Sequence, residues 1–318
     1  MPLISRCVNS TLMEPHAIVY DAGQYETKIG HAGTDLPSYV TYSQLLKNDK
    51  LHPLSTVPTK DMVLQEDCFL DHLTMGSEYL HLNISDHALM IPDMNEKRGK
   101  AMETLFEHVP ALYFCVRPVL NTFQSGKTTA LVVDIGHSKT TVCAVHDGYH
   151  IGKSLQSNDT AGLAINHAIL KSLQDNYQYE PKPVLYNAPM SEDINDKIRQ
   201  SLQMHTVHQF KEHCLVAQPY VPETSQAKPF EFPDKFSQVF RQEPHATDIL
   251  FNPPTDIPLI KMIQRSVEAC DVECRNLLAS NVVLTGGTAS IVGLQERLEV
   301  IVIHIGRDDE ACSSERKD

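Results

Sequence analysis

The sequence predicts an α/β protein made of two halves of related fold, and three observations lead to this class. An apolar, β-rich run that ends in Asp-x-Gly occurs twice, at residues 21–23 and again at residues 134–136. A third apolar run ends in the neighbouring glycines Gly286 and Gly287. Amphipathic stretches of helical period lie between these motifs, which is typical of helices packed on sheets.

Each Asp-x-Gly motif predicts the turn of a β-hairpin. Glycine permits a tight turn and lets a ligand approach the backbone closely. A second strand-like run follows each turn, at residues 24–33 and 137–149. Asp21 and Asp134 are 113 residues apart, a spacing that predicts two domains of related fold rather than a solenoid of short repeats.

The remaining elements follow from periodicity and from proline and glycine positions. In chain order we expect a helix at residues 95–108, a strand and then a helix opened by Pro118 within residues 111–123, a helix at 163–173 entered through Gly162, a long helix at 257–278, and an amphipathic stretch at 291–298. Residues 43–75 and 219–255 are expected to be irregular, and the polar residues 306–318 to be disordered.

Composition narrows the class of protein. Lys and Arg number 27 and Asp and Glu 40, so the net charge is −13. Such a surface repels phosphate backbones, which argues against direct nucleic-acid binding and favours a basic protein partner. Neither a bilayer-spanning run nor the apolar core of a signal peptide is evident, so no membrane association is expected. Eight cysteines without a dense framework predict reduced thiols.

Zinc binding is a weaker interpretation of the 16 histidines. Cys270 and Cys274 are four residues apart, and His205, His208 and His213 form a cluster. Structural zinc sites use four ligands, usually in close pairs, and neither group has that spacing. We therefore expect core thiols and surface imidazoles.

Two Asp-x-Gly hairpins that face each other across a cleft have a defined chemical use. Backbone N–H groups of the turns cradle phosphates, and Asp21 and Asp134 hold a hydrated Mg²⁺. The cation of Lys28 would reach the β- or γ-phosphate. A strand that is followed by Gly286-Gly287 and then by a helix allows the backbone to come close to a bound nucleotide.

These motifs and several others resemble the actin and actin-related family, over about residues 17–303 with a weak patch at 43–75. Within it the chain is most similar to the nuclear actin-like subunits of chromatin-remodelling (SWI/SNF-type) and histone-acetyltransferase complexes, on the strength of Tyr25, Phe106 to His108, Cys115 and the run from Val145 to Tyr149. The residues that carry the family resemblance are Asp21 to Lys28, Gly30 to Gly33, Phe123 to Gly136, Ala161-Gly162, Lys211-Glu212, Phe230 to Pro233, Cys270 to Val272 and Leu284 to Thr288.

The resemblance implies the duplicated two-lobed fold of the Hsp70/hexokinase type, with ATP and Mg²⁺ in a cleft. It implies a first lobe at residues 1–124 with a reduced upper subdomain, a second lobe at 125–304 and a polar tail at 305–318. The residues that match nucleotide-binding positions are Asp21, Gly23 and Lys28 in the first phosphate loop, Asp134 and Gly136 in the second, Lys211 and Glu212 beside the purine, and Gly286 and Gly287 in the adenosine turn.

At several positions the chain departs from the family pattern in ways that affect ATP hydrolysis. Actin orients its attacking water with a glutamine and a histidine, and Arg117 and Thr141 stand at those places. Arginine stays protonated and cannot act as a base. His137 and Ser138 add bulk to the second loop. We expect ATP hydrolysis to be lost, whereas retention of ATP is left open.

The resemblance also implies missing structure. Actins continue with further helices after the segment that matches residues 294–303, so the chain resembles a C-terminally truncated member whose first lobe is incomplete. Residues 43–75 match a reduced small subdomain. We expect apolar surface of the first lobe to be uncovered.

The implied function is a catalytically silent scaffold subunit in a nuclear complex. An amphipathic helix of a larger subunit would bind a groove walled by Phe123, Gly126 and Thr128, and actin itself is a further candidate partner. The alternative is a cytoskeletal or germ-cell actin-like protein associated with filaments in the cytoplasm. An active ATPase is disfavoured by Arg117 and Thr141. A sugar kinase is disfavoured by the actin-like motifs Gly286-Gly287-Thr288 and Lys211-Glu212.

Overall fold

The computed structural model describes residues 17–47, 50–53, 66–93, 99–182, 196–214, 228–240 and 244–299 of the 318-residue chain. The chain divides into two compact units, residues 1–43 with 64–115 and residues 44–63 with 116–318. The predicted boundary after residue 124 stays a prediction, and the predicted tail at residues 305–318 lies outside the described residues.

The described residues contain both strands and helices. The strands are β1 (Ile18–Ala22), β2 (Glu26–His31), β3 (Tyr39–Tyr42), β4 (Gln44–Lys47), β5 (Lys50–Pro53), β6 (Leu89–Asp93), β7 (Leu112–Val116), β8 (Ala130–Ile135), β9 (Thr140–His146), β10 (Tyr149–His150), β11 (Gln156–Asn158), β12 (Lys228–Glu231), β13 (Ser237–Phe240) and β14 (Val282–Thr285). The helices are α1 (Glu66–Tyr79), α2 (Gly99–Phe106), α3 (Arg117–Gln124), α4 (Gly162–Tyr177), α5 (Asp196–Cys214), α6 (Asp248–Phe251), α7 (Leu259–Glu268) and α8 (Val272–Ser280).

The first unit contains a mixed sheet in the order β3-β2-β1-β6-β7. β1 is antiparallel to β2 and parallel to β6. Tyr20 and Ile29 on one face of this sheet pack with Leu73 of α1 and Leu105 of α2, and all four side chains are buried. Gly76 permits the close approach of α1, because a Cβ there would collide with the Ile29 side chain.

The second unit repeats this arrangement in a sheet ordered β10-β9-β8-β14, with β11 also paired to β9. β8 is antiparallel to β9 and parallel to β14. The strand that leads into each Asp-x-Gly motif is therefore central in its sheet, between its hairpin partner and a later parallel strand. The predicted α/β class is confirmed, and both main sheets are mixed.

The larger core lies in the second unit. Leu131, Val133 and Ile135 of β8 face helices α4, α5 and α7 and are almost completely buried. The opposite side of β8 and β9 is covered by α3. Within the described residues, no helix has the length and apolar character of a membrane span.

Several predicted elements are confirmed with adjusted ends. Helix α2 lies within the helix expected at residues 95–108, of which residues 95–98 fall outside the described ranges. A strand followed by a helix occurs as expected in β7 and α3, and Pro118 lies in the first turn of α3. Helix α4 begins at Gly162 as expected and continues to Tyr177.

The long helix expected at residues 257–278 is wrong, because it is two helices. α7 ends at Glu268 and α8 begins at Val272. Between them, Asp271 has extended backbone with ψ of 144° and pairs with Lys153 at 3.0 Å. Apolar periodicity continues across this break, so it did not reveal the change in direction.

The two segments expected to be irregular contain regular elements, and this expectation is wrong in part. β4 and β5 form a two-stranded ribbon and α1 begins at Glu66, all within residues 43–75. β12, β13 and α6 lie within residues 219–255. Proline is tolerated in β12 because a two-stranded ribbon has an outer edge that needs no amide donor.

Candidate functional site

The first hairpin places three predicted site residues at one end of the first sheet. Asp21 and Lys28 are directly opposite each other in the register of β1 and β2. A Cβ on Gly23 would lie 2.4 Å from the carbonyl oxygen of Glu26, so only glycine fits this turn. The Ser43 hydroxyl donates to the carbonyl of Gly23 at 2.5 Å and thereby ties the turn to the end of β3.

The second hairpin closes through its own backbone. Gly136 N–H donates to the carbonyl of Lys139 at 3.0 Å. Asp134 is directly opposite Thr141 in the register of β8 and β9. Thr141, predicted to replace the water-orienting histidine of actin, therefore lies beside the aspartate of the second loop.

The Gly-Gly turn meets the second hairpin directly. Thr285 of β14 pairs with Asp134 of β8, so the chain leaves β14 next to that aspartate. Gly286 has a φ of +94°, and a Cβ there would lie 2.3 Å from the Ile135 carbonyl oxygen and 2.6 Å from Oδ1 of Asp134. Gly287 is exposed and has space around its Cα. The two glycines thus have different roles: Gly286 permits close packing, and Gly287 faces open space.

One hydrogen-bonded network joins the hairpin, the Gly-Gly turn, α4 and α5. The carbonyl of Gly136 accepts from the Thr288 hydroxyl at 2.7 Å and from Gly162 N–H at 3.1 Å. The carbonyl of Gly162 accepts from Nζ of Lys211 at 3.3 Å. The family resemblance named Gly162 and Thr288 only as parts of longer motifs and gave them no role of their own. Their contacts assign them a positioning role that the spacing of motifs did not reveal.

Lys211 and Glu212 are neighbours in sequence but face different surroundings. Lys211 is 5% exposed, and this burial lowers its pKa to about 8, while Glu212 acts in the opposite direction. The side chain of Glu212 is 65% exposed and lies 3.3 Å from Nε2 of His208. Lys211 therefore belongs to the buried network, and Glu212 lies at its rim.

Two half-buried imidazoles, those of His137 and His208, complete this cluster. Burial, and to a smaller extent the charge of Lys211, lowers the pKa of His137 to about 4 and that of His208 to about 3. Both rings are neutral at pH 7. The contact of His208 with Glu212 is therefore not an ion pair at pH 7.

The two predicted metal ligands belong to different units. Asp21 belongs to the hairpin of the first unit and Asp134 to that of the second. Within the described ranges, no group of three or more His, Cys, Asp or Glu side chains is arranged to hold a metal ion. The thiols of Cys270 and Cys274 donate to carbonyls of their own segment, those of Ser266 and Asp271. Burial raises the pKa of Cys270 to about 11, which keeps it a thiol.

The other predicted positions lie around α3. Arg117 is the first residue of this helix, and Phe123 lies near its end with 52% of its surface exposed. Gly126 follows with a φ of +73°, and the carbonyl of Thr128 accepts from Gly148 N–H at 2.8 Å. Phe123, Gly126 and Thr128 therefore lie at the end of α3 and in the segment that follows it, and their role as the wall of a groove stays a prediction.

Comparison with known proteins identifies the family. The family model described as Actin matches residues 70–313, which is most of the chain. The chain belongs to the actin family. That model covers α3, the second hairpin, Lys211 and the Gly-Gly turn, the elements that form the network above.

Curated relatives extend the similarity over nearly the whole chain. Actin-related protein 4 of Arabidopsis thaliana is 27% identical over 376 positions, which cover 90% of this chain and 84% of that protein. The "SWI/SNF and RSC complexes subunit arp42" of Schizosaccharomyces pombe is 29% identical, with 90% and 84% covered. Actin-related protein 4 of the same yeast is 27% identical, with 90% and 83% covered. Because 376 positions exceed the length of the chain, the first relative contains segments with no counterpart here.

Proposed function

We propose that this actin-family chain is a non-catalytic scaffold subunit of a nuclear chromatin-remodelling or histone-acetyltransferase complex. The observation that carries the proposal is the similarity, over 90% of the chain, to actin-related protein 4 and to a relative named as a subunit of the SWI/SNF and RSC complexes. The same similarity supports the proposal of a nuclear location.

An exposed aromatic surface on the second unit supports the scaffold role. A Cβ on Gly148 would lie 3.1 Å from Cζ of Phe123, so the Phe123 ring rests against the backbone of this glycine. The next residue, Tyr149, is 79% exposed, and Phe123 is 52% exposed. We call Phe123, Gly148 and Tyr149 the aromatic patch. Two exposed rings beside a glycine form a surface on which the apolar side of a helix packs closely.

The charge of the chain favours a basic occupant for this patch. With a net charge of −13, the protein attracts a Lys- and Arg-rich helix and repels acidic ones. Such attraction acts mainly on the rate of association. The proposed partner is therefore an amphipathic helix of a larger subunit with a basic polar side. Actin is a second proposed partner, and direct binding of nucleic acid is not part of the proposal.

Catalysis is not expected to contribute to this function. Arg117 and Thr141 occupy the places at which the family orients its attacking water, and neither side chain is a base at neutral pH. ATP with Mg²⁺ remains the proposed ligand. The residues proposed to contact it are Asp21, Gly23, Lys28, Asp134, Gly136, Lys211, Glu212, Gly286 and Gly287, of which Asp21 and Asp134 would hold the metal through water.

The network in the second unit suits such a ligand. Lys211 is a buried cation below pH 8 and donates to the Gly162 carbonyl, while Gly287 borders open space. This combination of one positive charge and open backbone is appropriate for an anionic group.

Affinity purification of the tagged chain from nuclear extract tests the proposal. We expect a remodelling ATPase or an acetyltransferase subunit to co-purify, and Phe123→Asp to remove it. Phe106→Asp is the matched control, because Phe106 is 50% exposed in the first unit and does not belong to the aromatic patch. Exclusive recovery of cytoskeletal proteins would contradict the proposal, and equal recovery by both variants would exclude the aromatic patch as the docking site.

A further inference from the structure

A buried histidine interrupts the apolar side of α1 in the first unit. The side of this helix that faces the sheet follows the helical period and consists of Phe69, His72, Leu73 and Gly76. His72 is completely buried. An imidazole at such a position costs free energy unless its ring nitrogens find hydrogen-bond partners. The residues proposed above to bind a ligand or a partner do not include this side chain.

Both ring nitrogens of His72 have a partner. Nε2 lies 3.2 Å from the carbonyl oxygen of Tyr42, and Nδ1 lies 2.9 Å from the hydroxyl of Tyr20. Burial lowers the pKa of His72, so the ring is neutral at pH 7 and carries one proton. Because a carbonyl only accepts, that proton is on Nε2, and Nδ1 accepts from the Tyr20 hydroxyl. The ring thus bridges β1 and the end of β3.

The end of β3 in turn holds the first Asp-x-Gly turn. Ser43 directly follows Tyr42, whose carbonyl His72 binds. The Ser43 hydroxyl donates to the Gly23 carbonyl at 2.5 Å, and its N–H donates to the Tyr25 carbonyl at 2.9 Å. An unbroken series of contacts therefore runs from α1 through the end of β3 to both sides of the turn.

These contacts lie on the side of the sheet away from the proposed ligand residues. Side chains alternate along a strand, so Tyr20 and Asp21 face opposite sides of β1. Tyr20 faces the core that α1 covers. Lys28 is directly opposite Asp21 in the register and shares its side. His72 therefore acts on the turn from behind and does not touch a ligand held by Asp21 and Lys28.

The bridge also fixes the direction of a backbone donor in the turn. A trans peptide is planar, so its N–H points opposite to its carbonyl. Because Ser43 holds the Gly23 carbonyl, the N–H of Gln24 points away from Ser43. Backbone N–H groups in such turns bind phosphate. Losing the His72 bridge would release the end of β3, and with it the direction of this donor.

We propose that His72 is a positioning residue, which holds the first Asp-x-Gly turn in the conformation that binds the phosphates of ATP and acts through Tyr42 and Ser43. Its effect on ATP binding rests on the proposed function, whereas its hold on the turn does not. Because the ring joins α1 to two strands, a displacement of α1 is transmitted to the turn.

Hydrogen exchange of the ligand-free full chain tests the hold on the turn. His72→Phe keeps a buried ring but removes both hydrogen bonds, and we expect amide exchange at residues 22–26 to become about tenfold faster. Ser77→Ala is the matched control and should leave this exchange unchanged. Ser77 is also buried on α1, but its hydroxyl donates within the helix, to the Leu73 carbonyl at 2.8 Å. Equal exchange at residues 22–26 in the two variants would overturn the proposal.

Titration with Mg-ATP tests the effect on binding. We expect His72→Phe and Ser43→Ala each to raise the Kd about tenfold. The double variant should raise it no further than Ser43→Ala alone, because His72 acts through Ser43. His72→Gln supplies an amide donor for the Tyr42 carbonyl and should restore most of the affinity, and Ser77→Ala should bind as the native chain does.

The outcomes separate this role from the proposed ligand. Additive losses in the double variant, or an equal loss in Ser77→Ala, would overturn the positioning role of His72. Absence of Mg-ATP binding by the native chain would overturn the proposed ligand and the effect of His72 on its binding. Hydrogen exchange would still decide whether His72 holds the turn, because that measurement uses no ligand.

Discussion

The imidazole ring of His137 lies edge-on against that of His208, with ring centroids 5.7 Å apart and an interplanar angle of 63°. His137 lies in the turn between β8 and β9, and His208 belongs to α5. The pair joins the second hairpin to the helix that carries Lys211. Any protonation that separates the rings would therefore loosen the hairpin and the buried lysine together.

Acid should destabilise the protein through this pair. The folded-state pKa values of His137 and His208, about 4 and about 3, are below the ordinary 6.5. Between these values the unfolded chain binds more protons, so the free energy of unfolding falls as pH decreases from about 6.5 towards 4. Each histidine contributes up to ~1.4 kcal/mol per pH unit over this window, and nothing above it. Urea unfolding at a series of pH values measures the slope.

Variants assign the slope to the pair. His208→Gln should make the decrease shallower, because one of the depressed pKa values is removed. Part of the slope should remain, because burial also lowers the pKa values of His72 and His205. His150→Gln, at an exposed position on β10, should leave the slope unchanged. The assignment would be wrong if the two variants showed the same pH dependence as the native chain.

The contrast between Asp134 and His208 shows how far the sequence could predict this site. Asp134, Gly136 and Gly286 were found because each ends an apolar run, and strand ends in one sheet come together. His208 lies 71 residues from His137 in a helix of weak amphipathic pattern, and only the packing of α5 brings the rings together. Similarly, the break at Asp271 interrupts no apolar period, so sequence alone predicted a continuous helix. Local patterns therefore predicted strands and turns, whereas contacts between distant helices required the structure.

Gly286→Ala should destabilise the second unit strongly. The new Cβ would meet the Ile135 carbonyl oxygen and the Asp134 carboxylate, at a φ that alanine rarely adopts. We expect a loss of at least ~2 kcal/mol in the free energy of unfolding. Gly287→Ala is the adjacent control, where a Cβ meets no atom within 4 Å. A comparable loss in both variants would show that the turn itself, and not the close approach, requires glycine.

Asn166→Leu should stabilise the protein. Asn166 on α4 is completely buried, and neither of its amide atoms has a hydrogen-bond partner among the residues that the structure describes. Replacing an unpaired buried amide by an apolar group of similar shape removes a penalty of ~1–3 kcal/mol. Thermal and urea unfolding measure the gain.

Asn158→Leu is the matched control for that prediction. Asn158 is also buried, but its amide donates to the Ile257 carbonyl at 2.8 Å and accepts from Thr160 N–H at 3.2 Å. This variant should lose ~1–3 kcal/mol, because the Ile257 carbonyl loses its partner. If Asn166→Leu were destabilised to the same extent, a bound water molecule would be the partner of Asn166.

ATP hydrolysis should be negligible in the isolated chain. Arg117 begins α3 and Thr141 lies beside Asp134, and neither of these proposed replacements for the family's water-orienting residues is a base at neutral pH. Phosphate release at millimolar ATP measures the rate. Turnover that disappears in Asp134→Ala would contradict the prediction, because it would show a working second loop.

Binding of ATP with Mg²⁺ should nevertheless raise the melting temperature at pH 7. A ligand that binds only the folded state adds ~2.7 kcal/mol at a concentration one hundred times its Kd. Asp21→Ala should remove the shift, and Asp35→Ala, in an exposed turn of the same unit, should retain it. The shift should also be smaller at pH 9.5 than at pH 7, because Lys211, with a pKa of about 8, is then largely neutral and no longer attracts an anion. A shift that is equal at both pH values would exclude the Lys211 cation from binding, and the absence of any shift at millimolar ATP would mean that the hydrogen-bonded network of the second unit has only a structural role.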